Sequence, residues 1–161
     1  MVKNLNTIDR GTSIRIGAGS GNINQGAETV AVGKDAGSIG QNNNAVAIGS
    51  DAGLNGQGFR SVAIGNFAGN TSQKSDSVAI GWRSGNLDQK TNSVSIGALS
   101  GYQLQNNNSV AVGFRSGNLL QNHNPVAIGS ESGRFYQGNN AVAIGSDAGK
   151  GDPINLSLAQ G

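Results

Sequence analysis

The residues of this chain that could do chemistry are few. His123 is the single histidine, in the stretch QNHNP, and there is no cysteine. Four carboxylates, Asp35, Asp51, Glu131 and Asp147, are separated by multiples of sixteen residues. The dipeptides Trp82-Arg83 and Phe114-Arg115 lie thirty-two residues apart, with Phe67 sixteen residues before Arg83. A Ser-His-Asp relay would have to use His123, which reads instead as an exposed loop residue among asparagines. Carboxylates at a fixed interval suggest a calcium ladder, yet Arg83 and Arg115 share their phase and no Gly-Gly-x-Gly-x-Asp repeat is present. Surface charge is the better account. GAGSG at Gly17 and GLNGQG at Gly53 imitate phosphate loops, but no strand-to-helix unit follows either. The expectation is a non-enzyme with no metal and no cofactor. An exposed ring beside an arginine is suited to binding, since it can stack on a sugar or anchor a protein contact. Phe67, Trp82, Arg83, Phe114 and Arg115 are therefore receptor-binding candidates, the alternative being that their rings cover a turn or pack between subunits.

The interval of sixteen belongs to the whole chain. "SVAIGNFAGNTSQKSD" from Ser61 is followed by "SVAIGWRSGNLDQKTN" from Ser77, and nine such units fit without insertion, starting at Ser13, Thr29, Ala45, Ser61, Ser77, Ser93, Ser109, Pro125 and Ala141. Positions two and four of every unit are Val or Ile, separated by one small residue, and positions five and nine are Gly throughout. That is the alternation of a short strand followed by a turn that needs positive φ or close backbone approach. No segment has helical periodicity. Each unit reads as strand, turn, second short extended segment and polar return loop. Stacked units make a parallel β-solenoid whose equivalent residues lie roughly 4.8 Å apart, so nine coils give a rod about 43 Å long. Residues 1–12 are expected to flank or cap the array at 13–156, and residues 157–161 to form a C-terminal tail.

Composition agrees with an ordered repeat and excludes several partners. Among 161 residues there are 27 Gly, 7 aromatics and 12% charged side chains, too few rings for an ordinary globular core. Val and Ile in strict phase argue against disorder. The net charge of +2 is scattered without a basic run, which speaks against nucleic acid as a partner. MVKNLNTIDRGT lacks the apolar centre of a signal peptide, and no run of about eighteen apolar residues exists to insert in a bilayer. Sequons at Asn70, Asn107 and Asn155 carry no weight without a secretory signal.

Each column of the stack can be assigned in turn. Gln fills position thirteen in eight units, from Gln25 to Gln137, with Pro153 in the last, and stacked amides form a hydrogen-bonded ladder. The Val and Ile columns are expected inside. Position three, on the opposite face, is Arg15 followed by Ala31, Ala47, Ala63, Ala79, Ser95, Ala111, Ala127 and Ala143. Small residues on an outward face suggest close approach by another copy, so these eight are trimer-interface candidates, the plainer alternative being a flat sheet. Ice binding by ranked hydroxyls is a minor alternative because no Thr-x-Thr column exists.

The runs SVAIG, SVSIG and AVAIG resemble the head repeats of trimeric autotransporter adhesins, the YadA-like head, and similar repeats of phage and large-virus fibre or surface proteins. The resemblance covers residues 13–156. It implies a left-handed parallel β-roll, a homotrimer and an adhesive role. The unit is longer than the family's usual repeat, implying a longer turn or return loop. No neck, heptad stalk, membrane barrel or secretion signal accompanies it, which favours a small intact particle protein over an excised head. The expectation is a structural and adhesive element outside a virus, phage or cell, meeting a host-surface glycan or protein receptor and other virion or fibre proteins. The alternative is a purely structural virion component.

Overall fold

A computed structural model describes residues 13–151 as a parallel β-solenoid without helix. Its strands are β1 (Ile14–Ile16), β2 (Val30–Val32), β3 (Val46–Ile48), β4 (Val62–Ile64), β5 (Val78–Ile80), β6 (Val94–Ile96), β7 (Gln103–Gln105), β8 (Val110–Val112), β9 (Leu119–Gln121), β10 (Val126–Ile128), β11 (Phe135–Gln137) and β12 (Val142–Ile144). Positions two to four of all nine units form one nine-stranded sheet, every neighbour sixteen residues away in register. Positions eleven to thirteen form the opposite wall, as strands β7, β9 and β11 and, in earlier coils, as single bridges such as Ile39↔Asn55 and Thr71↔Leu87.

The turn after each strand follows from its glycine. Gly33, Gly49 and Gly65 have φ of 130°, 123° and 124°. A Cβ on Gly33 would lie 2.6 Å from the carbonyl oxygen of Gly49 in the next coil, so any side chain there would collide with backbone.

The inner and outer faces of the large sheet are the reverse of those expected. Ala31, Ala47, Ala63, Ala79, Ser95, Ala111 and Ala127 are fully buried, and Ala143 nearly so. The Val and Ile columns point outward and are partly or largely exposed, Ile48 at 38% and Ile96 at 37%. The Ala and Ser95 side chains therefore cannot form a subunit interface, because they line the interior of their own roll. The reason is the thinness of that interior. A Cβ on Gly69 would lie 3.2 Å from the Cβ of Ala63 and 2.6 Å from Gln73 Oε1, and one on Gly85 only 3.1 Å from the Cβ of Ala79. One methyl already spans the gap, and a β-branched side chain does not fit.

The remaining interior is small or amide. Ala36, Ala52 and Ala68 join Ala31, Ala47, Ala63 and Ala79 in one apolar cluster. From the fifth coil on, where position eight is serine its hydroxyl is satisfied by the adjacent coil: Ser84 Oγ donates to Ser95 O at 2.7 Å and Ser100 Oγ to Ala111 O at 2.7 Å, whereas Ser20 Oγ in the first coil donates to its own Gly17 O at 2.9 Å. The buried glutamines form the expected ladder in two stretches, broken between Gln105 and Gln121 and absent before Gln57, where the Oε1 atoms of Gln41, Gln57 and Gln121 accept no hydrogen bond. Gln57 Nε2 donates to Gln73 Oε1 at 3.3 Å, Gln73 to Gln89 at 3.2 Å, Gln89 to Gln105 at 3.1 Å and Gln121 to Gln137 at 2.7 Å. The same amide nitrogens donate to strand carbonyls, as Gln73 Nε2 does to Val62 O at 2.9 Å. A buried polar core of this kind is tolerable because nearly every donor is used.

Candidate functional site on the turn after the large sheet

Positions six and seven follow the Gly of each strand and stand on the outer corner. Position seven is held at positive φ whatever its side chain: Phe67 at 57°, Arg83 at 52°, Leu99 at 59° and Arg115 at 52°. Bulky residues avoid this region on their own, so the surrounding coils must impose it. They do so through backbone bonds, Arg83 N to Asn66 O and Arg115 N to Ala98 O, each 3.0 Å. Asparagine at position ten adds a clamp: Asn86 Nδ2 donates to Phe67 O at 2.8 Å and Asn118 Nδ2 to Leu99 O at 2.7 Å.

On this rigid corner the five candidate residues fall on neighbouring coils. The Arg83 guanidinium carbon lies 5.6 Å from the centroid of the Phe67 ring and 5.1 Å from that of Trp82, placing the cation against two aromatic rings. Arg115 lies 5.0 Å from the ring of Phe114 and 3.7 Å from Glu131. Trp82 and Phe114 remain about half exposed. With one coil between them, their backbones stand roughly 9.6 Å apart along the rod. The corner thus offers two solvent-facing rings and two cations along one edge, and groups of this type stack on flat ligands and pair with anions.

A third aromatic and arginine pair escaped the sequence reading. The Arg134 guanidinium carbon lies 4.6 Å from the centroid of the Phe135 ring, and Arg134 also donates to Glu131 at 3.1 Å. The dipeptide Arg134-Phe135 was its signal in the sequence, hidden because it occupies positions ten and eleven instead of six and seven. Lys150 also donates to Glu131, and this hydrogen bond, with the nearby Arg134, holds that carboxyl below its ordinary range. Phe59, also exposed, stands at position fifteen in the return loop.

The other sequence candidates stay apart. His123 is exposed in the return loop, where its backbone N–H meets Asn139 Oδ1 at 3.1 Å. Among the described residues no three His, Cys, Asp or Glu side chains gather as a metal site, and no helix is long and apolar enough to cross a membrane. The chain matches no family model, no curated protein and no solved structure.

Proposed function

We propose that this protein is a structural rod that associates side by side with copies of itself, as a homotrimeric head or fibre element on the exterior of a virus, phage or cell. The observation that carries this reading is the outer face of the large sheet: Val or Ile fills both outward positions of all nine strands, without one polar interruption. The two columns stand roughly 7 Å apart over about 43 Å, an apolar stripe on the order of 300 Å² before its borders are counted. Such a flat, regular stripe is complementary to another of the same kind. The number three and the exterior location come from the likeness of the SVAIG runs to YadA-like heads.

In this assembly the strip Phe67, Trp82, Arg83, Phe114 and Arg115 serves attachment, to a glycan or protein on the host surface. Half-exposed rings on an immobile corner support that role. A scaffold without a receptor is the second reading, favoured by the way Phe67 and Trp82 already engage Arg83.

Light scattering tests the assembly. The wild-type protein is expected at three times the chain mass, and Val78→Lys with Val110→Lys at one, with the β-sheet circular dichroism unchanged. A wild-type monomer at micromolar concentration overturns the reading. On intact trimers, Trp82→Ala with Arg83→Ala is expected to abolish binding to host cells or a glycan array. Undiminished binding removes the strip as the attachment surface.

A further inference from the structure

Three arginines of this chain stand beside aromatic rings, and one of them differs from the other two. Arg115 and Arg134 both reach the Glu131 carboxylate, at 3.7 Å and 3.1 Å. Arg83 faces the Phe67 and Trp82 rings and forms no ion pair with any described carboxylate. The other described surface cations are paired as well, Lys34 with Asp35, Arg60 with Asp76, Lys90 with Asp88 and Lys150 with Glu131 and Asp147, except Lys74, which stands exposed in a return loop. A guanidinium lying against ring faces uses its flat side on them and keeps its N–H edge, which forks a carboxylate or sulfate. Arg83 is therefore a half-buried cation, oriented by two rings on a rigid corner and without a counter-charge of its own.

The surroundings of Arg83 select the kind of anion. Trp82 is half exposed, with a ring face large enough to carry a sugar, and the hydrogen bond from Leu99 N to Trp82 O at 2.9 Å fixes its backbone. On the position-six row the coil before Trp82 carries Asn66, whose Nδ2 donates to Ser50 O at 3.1 Å, leaving its carbonyl oxygen to accept from a hydroxyl. The coil after carries Ala98, so no long side chain rises on that row between Trp82 and Phe114. Along position seven, Asp51 stands two coils before Arg83 and Glu131 three coils after it, roughly 9.6 Å and 14 Å along the rod. A polyanion laid along this corner would meet a carboxylate in each direction, whereas a single charge held at Arg83 is about a screening length from either. We propose that the ligand of this strip is a glycan bearing one acidic sugar, with the sugar ring on Trp82 and its carboxylate or sulfate on Arg83. Given the strip as attachment surface, on which this assignment rests, the charge is chosen at Arg83 and not at Arg115, whose cation Glu131 already answers.

Trp82 is the single tryptophan of the chain, so its emission reports a ligand seated on it. The intact protein is applied to an array of sialylated, uronic-acid-bearing, sulfated and neutral glycans, and the strongest binder is titrated in solution by tryptophan fluorescence beside the same glycan with its acidic group removed. Binding is expected on glycans with one acidic sugar, with a saturable change in emission and about tenfold or more weaker binding of the neutral counterpart. Arg83→Gln is expected to erase that preference and Arg83→Lys to recover only part of it, while Lys74→Gln, which removes an exposed charge elsewhere, leaves it unchanged. Equal binding of acidic and neutral glycans, tighter binding of heparin or single-stranded DNA than of any singly charged glycan, or no binding to any acidic glycan on the array overturns the proposal. Undiminished attachment to host cells by Trp82→Ala with Arg83→Ala, together with loss of array binding by the same variant, supports the acidic-sugar site and overturns its part in attachment.

Discussion

Val78 and Ala79 are adjacent in one strand, yet their columns obey opposite rules. On the inner face nothing larger than alanine or serine is admitted between Ala31 and Ala143, because the position-nine glycine lies one methyl away. On the outer face nothing smaller than valine occurs, although no packing inside the roll demands it. The residue that is more hydrophobic has gone outside. Space, not hydrophobicity, selects the inner column, and the outer column is free of that limit.

The strongest way to break this contrast is to exchange the sizes. Ala79→Leu should cost about 3 kcal/mol or more, since an overfilled interior must open the coil, whereas Val78→Ala should change the melting temperature of an isolated chain little. Differential scanning fluorimetry compares the two. Equal effects would mean that the two faces are not distinguished by volume. The next largest effect belongs to the ladder. Gln89→Leu removes an amide nitrogen whose two N–H groups serve Val78 O at 2.9 Å, Ser93 O at 3.2 Å and Gln105 Oε1 at 3.1 Å, and should cost on the order of 2 to 3 kcal/mol by urea denaturation.

The smallest effect concerns charge on the outer surface. Arg60 donates to Asp76 at 2.6 and 2.9 Å, and this holds the Asp76 carboxyl below its ordinary range. A carboxyl whose folded pKa is lowered contributes stability above its unfolded pKa and loses it as pH falls through the folded value. Acidification should therefore lower the melting temperature slightly, and Asp76→Asn should flatten the part of that pH dependence due to this pair.

Much of the fold was legible because the repeat is so regular. The strands at positions two to four, the turn at each Gly, the second extended segment and the glutamine ladder all lie where the sixteen-residue phase puts them. Which side of the strand faced inward was not legible from alternation, because a period of two defines two faces and names neither as the core. A clue lay in the neighbouring columns. Positions three, eight and nine are almost all Ala, Ser or Gly, and small residues at several points of one short lap describe a narrow lumen. The positive φ of position seven was hidden for a different reason. Phe67, Arg83 and Leu99 do not announce a left-handed backbone, and the asparagines that clamp it act across coils. The pairing of Arg83 with both Phe67 and Trp82 was only half visible, since the spacing placed the residues on adjacent coils but could not orient their rings.

The stacked glycines after each strand carry a consequence for how such a molecule can change over generations. Because each Gly from Gly17 to Gly129 rests on the glycine backbone of the next coil with no room for a side chain, a deletion of one or two residues would put the shortened lap out of register with the lap before it and break that contact there. A gain or loss of sixteen residues disturbs nothing but the total. The gene can therefore alter the rod's length in increments of about 4.8 Å while every internal contact is kept, so reach is the property most freely open to selection.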